Sequence, residues 1–90
     1  MRVKIRGKVW DLRFSEEGLE PNTDGVCDAP TKKGKRVVVR PDLPPKRELE
    51  IIIHELTHAG LWDLDEEVVE EFASDLQRVL WTLGYRRVPL

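Results

Sequence analysis

Apolar and charged residues alternate over the first fourteen positions of the chain. The apolar members are Val3, Ile5, Val9, Leu12 and Phe14, and Gly7-Lys8 lies between the two runs. Alternation with a period of two is typical of a strand that buries one face, and a glycine-containing break between two such runs is typical of a hairpin. Residues 1–14 are therefore predicted to form a β-hairpin.

The pattern changes after residue 14. Residues 15–34 are rich in Gly, Pro, Asn, Asp, Thr and Lys, which predicts a long irregular loop. Loops of that length in compact domains are usually functional or mobile. Three consecutive valines at 37–39 favour a third strand over residues 35–40, which Pro41 ends.

Two amphipathic helices are predicted in the second half of the chain. Pro44-Pro45 suits a first helical turn, and apolar residues spaced by three and four continue to Gly60, which gives a helix over 44–60. A second helix is predicted over 64–83, with Gly84 at its C-terminal cap. Strands followed by helices indicate an α+β domain, here a small antiparallel sheet of about three strands followed by two packed helices.

Composition narrows the possible classes of function. Ninety residues make one small domain, and the single cysteine, Cys27, excludes an intramolecular disulfide, so a metal or a partner is the expected source of extra stability. The 15 basic and 17 acidic residues are well mixed, which gives no electrostatic reason to expect nucleic acid. No apolar run is long enough for a signal peptide or a membrane span, so a cytoplasmic location is expected.

The segment His-Glu-Leu-Thr-His, residues 54–58, lies within the first predicted helix. Residues four apart share one helical face, so His54 and His58 can both reach one tetrahedral zinc ion at ~2.0–2.1 Å. Glu55 is rotated by about 100° from His54 and flanks the metal, where a general base for a metal-bound water belongs. The simpler alternative is a pair of half-buried histidines without a metal.

A catalytic zinc needs a third protein ligand, and the chain has no third histidine. The candidates are Cys27 and the carboxylates of the second helix. Glu71 and Asp75 share one edge of the predicted apolar face, so Glu71 is the favoured ligand, with Asp75 accepting a hydrogen bond from a metal-bound histidine. Glu70 on the opposite edge and Glu67 remain alternatives. A solvated acidic face near the helix N-terminus would also explain most of these glutamates.

The segments His54-Glu55-Leu56-Thr57-His58 and Glu70-Glu71-Phe72-Ala73-Ser74-Asp75 together resemble the gluzincin metallopeptidases. The resemblance implies a minimal zincin-like fold in which His54, His58 and Glu71 bind zinc, Glu55 is the general base and Asp75 orients a histidine. The whole chain also resembles short metallopeptidase-like proteins of phage and prophage genomes. The interval between His58 and Glu71 is shorter than in large gluzincins.

The expected activity is zinc-dependent hydrolysis of an extended peptide, which would add to strand 35–40 at an exposed sheet edge. Tyr85 is a candidate to stabilise the oxyanion, and Cys27 a candidate inhibitory thiolate on the zinc. Trp62, like the other tryptophans, is expected to be a packing anchor. The alternative function is a zinc-stabilised phage accessory or interaction module without turnover. Glu55 favours the enzyme, because a structural zinc site has no use for it.

Overall fold

Four strands precede two helices along the chain, and the α+β class is confirmed. The computed structural model describes residues 1–88. The elements are β1 (Arg2–Ile5), β2 (Lys8–Phe14), β3 (Gly25–Cys27), β4 (Arg36–Val39), α1 (Pro45–Gly60) and α2 (Glu66–Thr82).

The alternating N-terminal segment forms an antiparallel hairpin in which Ile5 pairs with Lys8. The two turn residues, Arg6 and Gly7, both have positive φ, at 48° and 82°. Paired positive φ values are typical of the two-residue type I′ turn, whose twist matches that of the flanking strands. One face of β2 is buried, as expected, through Trp10 and Leu12, while Val9, Asp11 and Arg13 on the other face are more exposed.

The sheet differs from the prediction in two respects. It has four strands rather than three, because β3 forms within the segment predicted to be an irregular loop. It is mixed rather than antiparallel, with the order β1-β2-β4-β3, where β4 is parallel to β2 and antiparallel to β3.

The predicted position of the third strand at a sheet edge is also wrong. β4 lies between β2 and β3, and Val37, Val38 and Val39 are each at most 1% exposed. A strand with neighbours on both sides and both faces covered is expected to be continuously apolar, which explains the three valines. The edge on this side of the sheet is β3 instead.

Helix α1 packs on the sheet through Ile51 and Ala59, which join Trp10, Val37 and Val39 in the core. At its C-terminal end Gly60 lies against β1, where an added Cβ would be 3.0 Å from the Ile5 Cγ2 atom. Helix α2 packs mainly against α1. Among the described residues, neither helix has the length and apolar character needed to cross a bilayer.

Asp28 ties the edge strand β3 to β4. Its carboxylate accepts the backbone N–H of Arg36 at 2.8 Å, and it pairs with the Arg36 guanidinium and with Lys32 at 3.4 Å each. Burial alone would raise the pKa of Asp28, but the hydrogen bonds from Arg36 and the charge of Lys32 outweigh it and lower the pKa. A depressed carboxyl pKa stabilises the fold above the unfolded-state pKa, and this stabilisation is lost as the pH falls through the folded-state pKa.

We therefore predict that Asp28→Asn lowers the free energy of unfolding at neutral pH by about 1 kcal/mol, because a hydrogen bond to a charged acceptor becomes a neutral one. Urea denaturation at neutral pH and at successively lower pH measures the difference, which should shrink as the pH falls through the lowered folded-state pKa of Asp28, because the wild-type side chain then becomes protonated as well. Exposed Asp63, changed to Asn, is the control. An equal loss at every pH would contradict the assignment.

Candidate metal centre

The two histidines lie near the end of α1, close to the start of α2. Residues 61–65 connect the helices, and Glu66 is the first residue of α2. A connection this short brings the last turns of α1 against the first turn of α2. His54 and His58, one turn apart on α1, therefore face the Glu66 carboxylate.

The three side chains meet at a small cluster of ligand atoms. The Nε2 atoms of His54 and His58 are 3.2 Å apart. Each Nε2 is also 2.8 Å from a different carboxylate oxygen of Glu66. The histidine side chains are 15% and 16% exposed, whereas that of Glu66 is 65% exposed. The cluster is thus closed on the α1 side and open on the α2 side.

Hydrogen bonds alone cannot account for all of the close contacts among these nitrogen and oxygen atoms. A ring nitrogen presents either one proton or one lone pair, in one direction, yet each Nε2 has two polar neighbours within hydrogen-bond distance. A cation between the three groups would attract all of them at once. Two ligands of a tetrahedral zinc at ~2.0–2.1 Å are about 3.3–3.4 Å apart, close to the observed nitrogen separation. His54, His58 and Glu66 could therefore hold a metal ion.

The structure does not place the favoured third ligand, Glu71, with the histidines. At 100° per residue Glu71 is turned by about 140° around α2 from Glu66, and its side chain is exposed. Glu70 is turned by only about 40° and borders the same recess as His54 and Glu66, but it is outside the cluster of ligand atoms. Glu67, the remaining alternative, is exposed and also outside that cluster.

Asp75 does not orient a histidine either. It lies about 180° around α2 from Glu66, is exposed, and pairs with Arg78.

The orientation of α2 explains both corrections. Glu71 and Asp75 would be well placed if the mean direction of the large apolar residues of α2 faced α1. The buried residues of α2 are instead Val69, Ala73 and Gln77, whose arc is rotated by about 70° from that direction and includes Glu66. The short connection between the predicted helices could have indicated Glu66. His58 is two residues from the end of α1, so a residue of α2 that contacts it is expected in the first turn of α2.

Glu55 is buried between the histidine cluster and the edge strand. The residue is 6% exposed, and burial together with the nearby charge of Glu66 raises its pKa to about 7. Gly25 of β3 gives it room, because an added Cβ would be 3.0 Å from a Glu55 carboxylate oxygen and 2.6 Å from the Ile51 Cγ2 atom. The sequence did not reveal this role of Gly25, since close approach between a strand and a helix is a tertiary property.

Cys27 and Tyr85 do not have the surroundings that their predicted roles require. Cys27 lines the cleft beside Glu55, but burial and the nearby carboxylates of Glu55 and Asp28 raise the pKa of its thiol to about 12. Without a metal ion the group is thus a thiol, and Cys27 does not belong to the cluster of ligand atoms formed by His54, His58 and Glu66. Tyr85 lies beyond the far end of α2, and that end is about 24 Å along the helix axis from Glu66. It borders a separate apolar cavity of about 650 Å³ between the start of α1 and the end of α2.

An open cleft of about 590 Å³ leads to the histidines and Glu55. β3 forms one side of the cleft, and Trp62 and Leu64 from the connection between the helices form another. The Trp62 ring packs edge-on to His58 at a centroid distance of 6.2 Å and stays 43% exposed. Trp62 is therefore a wall of the cleft rather than the packing anchor that the sequence predicted.

We predict that Gly25→Ala destabilises the fold by about 1–3 kcal/mol, as overpacking does, and displaces the Glu55 side chain. Because the new methyl group would overlap the Ile51 Cγ2 atom, the cost should be clearly smaller in an Ile51→Ala background. Urea denaturation of the wild type, both single variants and the double variant measures this coupling. Strictly additive effects would mean that Gly25 and Ile51 do not approach as described.

Comparison of the chain with protein-family models, with curated proteins and with solved structures finds no match. The gluzincin resemblance therefore rests on the motif residues alone, of which Glu71 and Asp75 do not lie with the histidines.

Proposed function

We propose that the protein is a zinc-dependent peptidase whose metal ligands are His54, His58 and Glu66. The observation that supports the proposal is that these three side chains meet in an open cleft, beside the buried carboxylate of Glu55. Two imidazoles and one carboxylate are a donor set of catalytic zinc sites, which leave one position for water. A bound zinc ion would polarise the substrate carbonyl and lower the pKa of that water toward ~7.

Glu55 is the proposed general base. It follows His54 on α1, so its side chain flanks the ligand cluster, and its carboxylate is held between β3 and α1. A base with a pKa near the working pH can both accept the proton of the attacking water and deliver it to the leaving amine. The two carboxylates thus have separate tasks: Glu66 binds the metal and Glu55 moves the proton.

Strand β3 is the proposed binding edge for an extended peptide. Asp24 and Asp28 hydrogen-bond to β4 through a backbone C=O and a backbone N–H respectively. Since neighbouring residues of a strand point their backbone groups to opposite sides, those of Gly25 and Cys27 point to the free edge. This edge borders the cleft, so a substrate strand could pair with it while its scissile bond lies near Glu55.

The first test is metal binding. We predict that the wild type binds one zinc ion per chain and gains thermal stability, because the ion binds the folded state. Glu66→Gln should weaken zinc binding by more than about tenfold, the lower bound for losing even an outer hydrogen-bond partner of a zinc ligand. Glu71→Gln makes the same change on an exposed face of the same helix and should leave binding unchanged. Titration with a competing chelator, on protein without a histidine tag, measures both.

A loss of zinc binding in Glu71→Gln alone would return the third ligand to Glu71. A wild type without zinc affinity would overturn the proposed function as a whole.

The second test is turnover. Glu55→Gln keeps the size of the side chain but cannot accept a proton, so we predict unchanged zinc binding and a loss of peptide cleavage of about 10²–10⁴-fold. Mass spectrometry of an unbiased peptide library measures cleavage, with Glu70→Gln, a neighbour of the same cleft region, as the control. Equal cleavage by wild type and Glu55→Gln would remove Glu55 from the mechanism. A wild type that binds zinc and cleaves nothing would favour the zinc-stabilised interaction module.

A further inference from the structure

Helix α2 exposes a stripe of large apolar side chains on the face that does not contact α1. Val68, Phe72, Val79 and Leu83 are 47% to 67% exposed, and Leu76 lies on the same face. With Glu66 at 0°, these five residues fall between about 200° and 280°, well away from the metal ligand. Residues 72, 76, 79 and 83 are spaced by four, three and four, the spacing of a seam between two packed helices.

We propose that this face, Val68 to Leu83, binds the same face of a second copy of the chain, with the two α2 helices antiparallel. In a two-fold pairing centred on the stripe, Val68 lies opposite Leu83 and Phe72 opposite Val79. The contact is self-complementary, as a two-fold interface requires. The antiparallel arrangement also places the two helix dipoles in opposite directions, which is favourable for neighbouring helices.

The charges along α2 favour a second copy and the antiparallel direction. The helix carries five acidic residues in its first ten positions, and its only basic residue, Arg78, follows them. Glu71, Asp75 and Arg78 occupy one flank of the stripe, between about 120° and 180°. In an antiparallel pair this flank meets itself, and Arg78 of one copy lies level with residue 73 of the other, between Glu71 and Asp75.

A parallel pair would instead place the two acidic halves side by side. In the antiparallel pair the two Glu67 residues are about 25 Å apart along the axis. That separation exceeds the Debye length of about 8–10 Å at physiological salt, so their repulsion is largely screened. The charge pattern thus disfavours the parallel arrangement and supplies two attractive contacts, one at each Arg78, in the antiparallel one.

The first test is the mass of the full chain in solution, measured by sedimentation equilibrium from about 10 µM to 1 mM. We expect a reversible monomer–dimer equilibrium. Phe72→Glu should raise the dimer dissociation constant by about tenfold or more, because it charges an aromatic anchor of the interface. Val88→Glu, a change at an exposed apolar residue outside the stripe, is the control and should leave the equilibrium unchanged. A wild type that stays monomeric over the whole range would overturn the proposal.

A charge exchange tests the direction of pairing without relying on a core substitution. Asp75→Arg and Arg78→Asp should each weaken self-association, because each puts like charges opposite one another between copies. A mixture of the two variants should associate more strongly than either alone, since positions 75 and 78 that face each other across the interface again carry opposite charges. The intrahelical Asp75–Arg78 pair is lost in both variants, so its loss cannot explain recovery in the mixture.

Failure of the mixture to recover would rule out the antiparallel α2 contact even if a dimer forms. Neither test uses a substrate or depends on zinc binding, so the outcome is independent of the proposed hydrolysis.

Discussion

The structure of the site depends on one local constraint, the short connection between α1 and α2. Residues 61–65 bring the last turns of α1 against the first turn of α2, and this places the Glu66 carboxylate within 2.8 Å of both histidine Nε2 atoms. The same connection supplies Trp62 and Leu64, which wall the cleft. One segment of the chain thus fixes the three ligand atoms and shapes the approach to them.

The orientation of α2 that directs Glu66 toward the histidines also determines which of its other side chains are buried. Its buried side is narrow: Val69, Ala73 and Gln77, one turn apart, face α1. The larger apolar residues, including Phe72 and Val79, remain exposed. Exposed apolar side chains arranged in a continuous stripe are uncommon on a monomeric surface and usually mark an interaction site. The position of Glu66 against the histidines and the exposure of this stripe therefore follow from the same helix orientation.

Much of the fold could be predicted because its signals are local. The alternation over residues 1–14, the three valines and the two helical periodicities correspond to elements of the structure. β3 could not be predicted, since only three residues form it and its pairing with β4 is set by tertiary contacts. That His54 and His58 lie side by side could be predicted from helix geometry alone, because residues four apart share one face of a helix. Which carboxylate faces the histidines depends on how α2 is turned against α1. The mean direction of the large apolar residues did not predict this, because small Ala73 and polar Gln77 are among the buried residues.

Glu55 separates a catalytic interpretation of the site from a purely structural one. Burying a carboxylate is costly unless something favours its charged form, and here burial and the charge of Glu66 raise its pKa to about 7. The fold nevertheless keeps the group at the cleft, and Gly25 leaves it space that a side chain would fill. A purely structural zinc site would gain stability from an apolar residue at this position, since His54, His58 and Glu66 would not need a second carboxylate beside them. If zinc binds as proposed, Glu55 would be the acid placed to exchange a proton with a metal-bound water.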